Sequence, residues 1–125
     1  MLIVDDAPSN RYVLRAFLRP LGVRVAEAAD GREALDHLAR ERFDLVLLDL
    51  RMPGMDGRAT LAALRRMGGR TAATPVVLVT ADAGPGEGAR HRALGAQGYL
   101  AKPVGRDALL AEIARARAAP APRAA

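Results

Sequence analysis

The chain has 125 residues, enough for one domain with a buried core, and half of them are apolar while only 3% are aromatic, so Leu, Val and Ala must fill that core. It contains no cysteine, which excludes a disulfide framework and a thiolate metal site. The net charge is +5, but the arginines are scattered and there are few aromatic rings for base stacking, so direct binding to nucleic acid is not expected.

The chain opens with a short strand and a helix. Residues 1–4 are apolar and end at Asp5 and Asp6. This run is too short for a signal peptide or a membrane span, so we expect a cytoplasmic location and no membrane contact by this domain. Pro8 suits the first turn of the helix. Apolar residues at helical spacing then predict one buried stripe, formed by Val13, Leu14, Phe17, Leu18 and Leu21.

A second strand and a second helix follow. Residues 23–28 alternate in character, with two valines on one face. Asp30 is a candidate N-cap for the helix, Glu33 lies at capping-box distance from it, and the helix is expected to end near Arg40.

The third strand organises the chain. Residues 44–49 are predicted to form this strand, in which an apolar run from Leu45 ends in one acid, Asp49, and a run that is apolar on both faces is typical of a central parallel strand. A loop containing Pro53 leads to a third helix, for which Asp56 is the candidate N-cap and residues 68–69 are the expected end.

The remaining chain predicts two more strands and two more helices. Residues 76–80 are again apolar on both faces, a short helix covers 87–94, and residues 97–101 form the fifth strand. The last helix covers about 107–117, so we expect a domain of residues 1–117 and a flexible tail or linker at 118–125. Strands that alternate with helices in this way predict an α/β fold with a doubly wound parallel sheet.

The carboxyl ends of the predicted strands bring chemistry-bearing residues to one edge of the sheet. They are Asp5 and Asp6, Asp49, Thr80, and Lys102, which is the chain's single lysine. Three close carboxylates need a bound proton or a divalent cation, and an oxygen-only ligand set favours Mg²⁺ or Mn²⁺. A hydroxyl and an ammonium directed to the same place suggest a phosphoryl group as the incoming ligand.

With these residues the chain resembles the receiver domain of two-component response regulators over nearly its whole length. The segments that carry the resemblance are Val4-Asp5-Asp6, Leu48-Asp49, Met52-Pro53-Gly54-Met55-Asp56-Gly57, Val79-Thr80-Ala81 and Tyr99-Leu100-Ala101-Lys102-Pro103. The resemblance implies a flavodoxin-like (βα)5 fold with strand order 2-1-3-4-5, an order for which the chemotaxis member of this family is a standard example.

The resemblance also implies roles at the sheet edge. Asp49 would accept a phosphoryl group from a phosphohistidine of a histidine kinase or a histidine phosphotransfer protein. Asp6, Asp49 and the backbone carbonyl of Arg51 would hold Mg²⁺, and Asp5 would act through a metal-bound water. Lys102 would pair with the phosphoryl group, and the protein would be a regulatory domain that catalyses its own phosphorylation and dephosphorylation rather than an enzyme with turnover.

Further implied roles concern the response to phosphorylation. Thr80 would bind a phosphoryl oxygen, and Tyr99 would change rotamer with it, altering the face made by the fourth helix, the fifth strand and the fifth helix. The bond before Pro103 is expected to be cis. A phosphorylation-dependent homodimer is consistent with such a domain. Asp5-Asp6 followed by Ser9-Asn10-Arg11 resembles receivers attached to hybrid histidine kinases more than stand-alone receivers.

Some expectations go beyond the family pattern. Arg51 and Asp82 are each two residues past a site residue, and we hypothesise that they form an exposed ion pair that tunes the hydrolysis rate of the acyl phosphate. The glycine-rich run 84–88 predicts a weak start of the fourth helix that phosphorylation could reorder. His37 and His91 are interpreted as surface residues.

Other function classes remain as alternatives. A phosphatase of haloacid-dehalogenase type also uses an aspartate nucleophile, but it places this residue after the first strand in an Asp-x-Asp pattern, whereas Asp49 follows the third strand. A basic nucleic-acid-binding domain would rest on the net charge alone. A mononucleotide or flavin binder would need a glycine-rich first loop, which the segment 6–9 lacks.

Overall fold

A computed structural model describes residues 1–81 and 86–118. Strands and helices alternate along the chain as β1 (Leu2–Val4), α1 (Pro8–Leu18), β2 (Ala26–Ala28), α2 (Gly31–Arg40), β3 (Val46–Asp49), α3 (Gly57–Arg65), β4 (Val76–Thr80), α4 (Glu87–Ala93), β5 (Gly98–Ala101) and α5 (Arg106–Ala118). Short 3-10 helices follow α1 at Arg19–Leu21 and α3 at Gly69–Ala73.

The strands form one sheet in the order β2-β1-β3-β4-β5, and every neighbouring pair is parallel. This confirms the predicted fold class and strand order. Parallel pairing places all carboxyl ends at the same edge, where β3 ends in Asp49 and β4 ends in Thr80. The fold therefore carries the predicted site residues to one edge of the sheet, as it does in other doubly wound proteins.

Hydrophobic residues cover both faces of the sheet. On one face, Leu48 and Leu78 pack with Leu61 and Leu64 of α3. On the other face, Leu47 and Val77 lie in a cluster with residues of α1 and α5, namely Leu14, Leu18, Leu109 and Ile113. Because successive strand residues point to opposite faces, the central strands are apolar at every position before their carboxyl-terminal residue. Each fully buried Leu contributes roughly 1.5–3 kcal/mol to folding.

Both predicted helix caps are present. The Asp30 carboxylate accepts a hydrogen bond from the backbone N–H of Glu33 at 2.8 Å, and the Asp56 carboxylate accepts one from Ala59 at 2.8 Å. The Glu33 side chain reaches back to the N–H of Ala29 at 3.4 Å, one residue before the N-cap. These bonds satisfy N–H groups that the first turn of a helix leaves without a backbone acceptor.

Two element boundaries differ from the prediction. Strand β2 begins at Ala26 rather than at residue 23, because β1 is its only described neighbour and offers three residues for pairing. Val23 and Val25 still pack against the core from the preceding loop. Helix α3 ends at Arg65, and a 3-10 helix occupies the region of the glycine pair that was expected to end it.

Burial corrects three expectations. The stripe on α1 is narrower than predicted, since Val13 and Leu21 are 44% and 45% exposed. Val13 lines an open cleft beside Lys102 and Val104, and Leu21 lies in the 3-10 helix beyond the end of α1. The interpretation of His91 as a surface residue is wrong: it is buried, with its ring centroid 4.9 Å from that of Tyr99. His37 is half-buried, and its ring packs edge-on against Phe43.

Within residues 1–81 and 86–118, no helix combines the length and the apolar character that crossing a membrane requires.

Candidate functional site

Carboxylates converge at the carboxyl edge of the sheet. Asp5, Asp6 and Asp49 each place an oxygen within 4.8 Å of the others, with Asp5 and Asp49 buried and Asp6 exposed. Like charges at this spacing repel one another, and they do so most strongly where water is excluded. Oxygen donors of this kind, with one carboxylate open to solvent, fit a hard divalent cation.

Asp49 is the last residue of β3, and its side chain lies in the middle of the site. Its carboxylate accepts a hydrogen bond from the N–H of Arg51 at 3.2 Å, and Lys102 Nζ lies 3.2 Å from its other oxygen. Burial raises the pKa of Asp49 and the negative charge of Asp5 raises it further, against the lowering effects of the Arg51 N–H and of Lys102. A cation bound nearby would therefore stabilise the charged form of the Asp49 carboxylate.

Lys102 supplies positive charge to this edge of the sheet. Its Nζ lies 3.8 Å from Asp5 as well as 3.2 Å from Asp49. The Lys102–Pro103 peptide bond is cis, and the N–H of Lys102 donates to the Thr80 carbonyl at 2.8 Å. The ammonium therefore lies between two of the acids, at the end of the strand next to β4.

Asp5 is held by α1 and by the loop before it. Its carboxylate accepts hydrogen bonds from the N–H of Ala7 at 2.8 Å and from the Asn10 amide at 3.3 Å. Its carbonyl accepts a hydrogen bond from Arg11 Nη1 at 2.6 Å. The sequence relates Asn10 and Arg11 to hybrid-kinase receivers but does not predict their contacts with Asp5. Their positions in the first turns of the helix after the acids are the signal that could have placed them beside Asp5.

Thr80 and Tyr99 lie on the same face of the sheet. Leu78 pairs with Tyr99 in register, and Thr80 follows Leu78 by two residues, so all three side chains point to one side. Thr80 is buried and Tyr99 is half-buried. The two predicted switch residues are thus placed on one side of neighbouring strands, with Thr80 nearer the acids.

The predicted pair of Arg51 and Asp82 falls at the limit of the described residues. Arg51 is exposed, but its hypothesised partner Asp82 lies outside the described residues, as do residues 84 and 85 of the glycine-rich segment. Within the part that is described, α4 begins directly after Gly86, which has a φ of 85°.

Gly57, the last residue of the motif between Met52 and Gly57, lies against the backbone of the site. A Cβ added at Gly57 would lie 2.4 Å from the Asp49 carbonyl oxygen and 2.7 Å from Leu50 Cα. The N–H of Gly57 donates to the Leu50 carbonyl at 2.9 Å. The start of α3 therefore packs directly against the backbone that carries Asp49.

The chain matches a family model described as the response regulator receiver domain over residues 1–114. This chain belongs to that family. Receiver domains are regulatory modules of two-component phosphorelays, so the predicted function in phosphorelay signal transduction is confirmed, and the phosphatase, nucleic-acid and nucleotide alternatives are not favoured.

Similar proteins include receivers in different contexts. The receiver is 41% identical over 87% of its length to the sensor histidine kinase AruS of Pseudomonas aeruginosa, where the match covers 11% of the kinase. It is 40% identical over 94% of its length to the transcriptional regulatory protein ZraR of Escherichia coli K12, where the match covers 26%. The chain therefore spans only a small part of these curated relatives.

A solved receiver domain has the same fold and holds a metal. It is the receiver domain of the sensor histidine kinase PA1611 of Pseudomonas aeruginosa, which is described with a magnesium ion coordinated in its active-site cleft. The two chains are 35% identical with a TM-score of 0.83, and the match covers 94% of this receiver and 96% of the other chain.

Proposed function

We propose that this receiver accepts a phosphoryl group on Asp49 from a phosphohistidine of a histidine kinase or a histidine phosphotransfer protein. The observation that carries the proposal is the position of Asp49, a buried carboxylate at a strand end within 3.2 Å of the chain's single lysine and close to two further acids. A buried titratable group that lies where parallel strands end, with charged groups around it, is a typical feature of functional sites.

The reaction transfers the phosphoryl group from a histidine nitrogen of the partner to a carboxylate oxygen of Asp49. An Asp49 carboxylate oxygen attacks the phosphorus, a P–O bond forms, the P–N bond to the imidazole breaks, and the leaving imidazole takes up a proton. Attack by an anion on an anionic group meets electrostatic repulsion. Lys102 offsets part of it from its position between Asp5 and Asp49. In this sense the domain would promote its own phosphorylation without being a turnover enzyme.

The acids would bind Mg²⁺, with Mn²⁺ as an alternative. Asp6, Asp49 and the backbone carbonyl of Arg51 are the candidate ligands, and Asp5 would act through a bound water. When bound, the cation neutralises charge on the incoming phosphoryl group. The oxygen-only donor set supports this assignment, as does the magnesium ion in the similar PA1611 receiver.

Thr80 and Tyr99 would transmit the modified state. The Thr80 hydroxyl would donate a hydrogen bond to a phosphoryl oxygen, and Tyr99 would adjust its rotamer on the same side of the sheet. The face of α4, β5 and α5 would then present an altered surface. The contact between the rings of Tyr99 and His91 at 4.9 Å supports a coupling of this kind to α4.

The wider setting is also a proposal. Residues 1–117 would form the receiver, followed by a tail or linker at 118–125, and the domain would work in the cytoplasm. Similarity to the receiver portion of AruS favours a hybrid-kinase context over a stand-alone one. The face of α4, β5 and α5 would also form the interface of a phosphorylation-dependent homodimer.

Intact-mass spectrometry tests the acceptor. Incubation with acetyl phosphate or phosphoramidate and Mg²⁺ should add one labile phosphoryl group, and Asp49→Asn should abolish the adduct. Asp56→Asn is the matched control, because it removes an acid from the adjacent loop while Asn still caps α3. A stable adduct on Asp49→Asn, or continuous phosphate release from small esters, would overturn the proposal.

A further inference from the structure

Arg11 joins two parts of the molecule that are distant in sequence. From α1, its Nη1 donates to the Asp5 carbonyl at 2.6 Å, and its Nε donates to Glu27 Oε1 on β2 at 3.1 Å. Its side chain is 17% exposed, so both bonds are partly shielded from water. A planar guanidinium held at two points has little freedom to reorient.

Glu27 accepts hydrogen bonds from two arginines of α1. It is the middle residue of β2, and its second oxygen accepts a hydrogen bond from Arg15 Nη1. Arg15 is far more exposed than Arg11, at 48%, and no hydrogen bond joins it to the loop that carries the acids within the described residues. The two arginines thus share one carboxylate, but Arg11 alone extends the connection to Asp5.

The two neighbouring acids differ in how they are fixed. The Asp5 carboxylate has its own hydrogen bonds from Ala7 and Asn10. The exposed Asp6 carboxylate makes none with the described residues, so its direction depends on the backbone that precedes it. The peptide between Asp5 and Asp6 contains the carbonyl that Arg11 binds, and a rotation of that peptide would swing Asp6 away from Asp49.

We propose that Arg11, held in place by Glu27, is a positioning residue for the divalent cation. It fixes the peptide between Asp5 and Asp6, so that the Asp6 carboxylate is already directed toward the oxygens of Asp5 and Asp49 before the cation arrives. This inference rests on the proposed assignment of the cation to these acids. Groups that orient metal ligands in this way contribute strongly to metal affinity in other proteins.

Charge and positioning predict opposite results for Arg11. Arg11 carries a positive charge near a cation site, so loss of that charge alone would strengthen cation binding. Loss of the positioning contact would instead weaken binding, because the free peptide must be ordered when the cation binds. The sign of the change therefore separates the two effects.

Calorimetric titration with Mg²⁺, and with Mn²⁺ as a second probe, gives the direct test. Arg11→Gln should raise the dissociation constant roughly tenfold. Arg11→Lys keeps the charge but cannot bridge both partners, and it should also weaken binding. Arg15→Gln is the matched control, since it removes the same charge from the same carboxylate without touching the acid loop, and it should bind as the wild type does.

Substitution of Glu27 tests the same inference without changing Arg11. Glu27→Gln alone should weaken cation binding, and it should add little in the Arg11→Gln background if Glu27 acts through Arg11. Circular dichroism and thermal unfolding of each variant establish that it is folded. If Arg11→Gln does not fold, Arg11→Lys and Glu27→Gln carry the test.

Phosphorylation kinetics separate this inference from the proposed function. For Arg11→Gln, the Mg²⁺ concentration for half-maximal adduct formation should rise in step with the dissociation constant, while the rate at saturating Mg²⁺ stays near that of the wild type. Unchanged or tighter cation binding in Arg11→Gln overturns the inference. A wild type that binds the cation but forms no adduct on Asp49 overturns the proposed function, and the comparison of Arg11 with Arg15 still stands.

Discussion

Gly57 shows how one residue can define the space around Asp49. The first residue of α3 approaches the backbone of Asp49 and Leu50 so closely that a Cβ would come within 2.4 Å of the Asp49 carbonyl oxygen. Backbone atoms cannot yield as a flexible side chain can. The need for glycine here comes from this close approach and not from a left-handed backbone, since Gly57 lies within the helix.

Gly57→Ala should therefore displace the end of β3. We expect a loss of roughly 1–3 kcal/mol in the free energy of unfolding, measured by urea denaturation, because the added methyl group overpacks the contact. The rate of Asp49 phosphorylation should fall as well. Gly68→Ala is the control, since its Cβ would meet nothing within 4 Å and its φ is −74°. Equal stability of both variants would contradict the argument.

At the scale of elements, α5 protects the open edge of the sheet. Among the described residues, strand β5 pairs only with β4, so the other side of its backbone needs partners. The N–H of Tyr99 donates to Glu112 at 2.9 Å, and Arg115 Nη2 donates to the Gln97 carbonyl at 3.0 Å. Glu112 and Arg115 also pair with each other at 2.7 Å. Glu112 and Arg115 of α5 thus provide hydrogen-bond partners that a neighbouring strand would otherwise supply beside Tyr99.

Glu112 should make part of the stability dependent on pH. Burial raises the pKa of Glu112, but the hydrogen bonds from Arg115 and from the Tyr99 N–H outweigh this effect and hold the pKa below its ordinary value. A lowered pKa in the folded state means that the stabilisation is complete above the unfolded value and is lost as the pH falls through the folded value.

Glu112→Gln should accordingly reduce stability at neutral pH by about 1 kcal/mol, a modest amount because Arg115 is half exposed. Chemical denaturation of the variant and the wild type between pH 7 and about pH 3 would measure the difference, which should shrink as the wild-type carboxylate becomes protonated. Asp36→Asn removes an exposed helical acid and serves as the control. A difference that is constant across this range would contradict the assignment.

At the scale of the whole molecule, one side chain connects α3 to the turn between α4 and β5. Arg65 donates to the Gly95 carbonyl, to Gln97 Oε1 and to the Ala72 and Thr74 carbonyls, and Gln97 Oε1 also accepts the N–H of Val76. Burial lowers the pKa of Arg65 to about 10, so it remains charged at neutral pH and its hydrogen bonds are charge-assisted. The carboxyl end of α4 is thereby fixed to the body of the fold.

The two ends of α4 consequently differ. Its carboxyl end is held through Arg65, while its amino end follows Gly86, whose φ of 85° suits glycine. Segments of low local stability are the ones that switches recruit. Comparing amide hydrogen exchange in the free protein and in a phosphoryl-mimic form with Mg²⁺ should show altered protection in α4 and β5. Protection in α2 should stay constant, and equal protection of α4 in both forms would exclude this segment as the switch.

Local patterns in the sequence determined the secondary structure and most of the candidate site. Apolar runs on both faces identified β3 and β4, and the side chains of Asp30 and Asp56 identified two helix starts, because these signals depend only on near neighbours in the chain. Alternating strands and helices implied a parallel sheet, and a parallel sheet brings strand ends to one edge. The resemblance to receivers added the strand order.

The tertiary structure alone decided the contacts between elements. The burial of His91, the exposure of Val13, the close approach of Gly57 and the reach of Arg11 to Glu27 each depend on which side of a helix faces which neighbour. An error of a fraction of a helical turn changes such a neighbour, and sequence periodicity does not resolve rotation that finely. Asp49 could therefore be identified from its strand, whereas the side chains that orient the acids beside it became visible only when the helices were packed against the sheet.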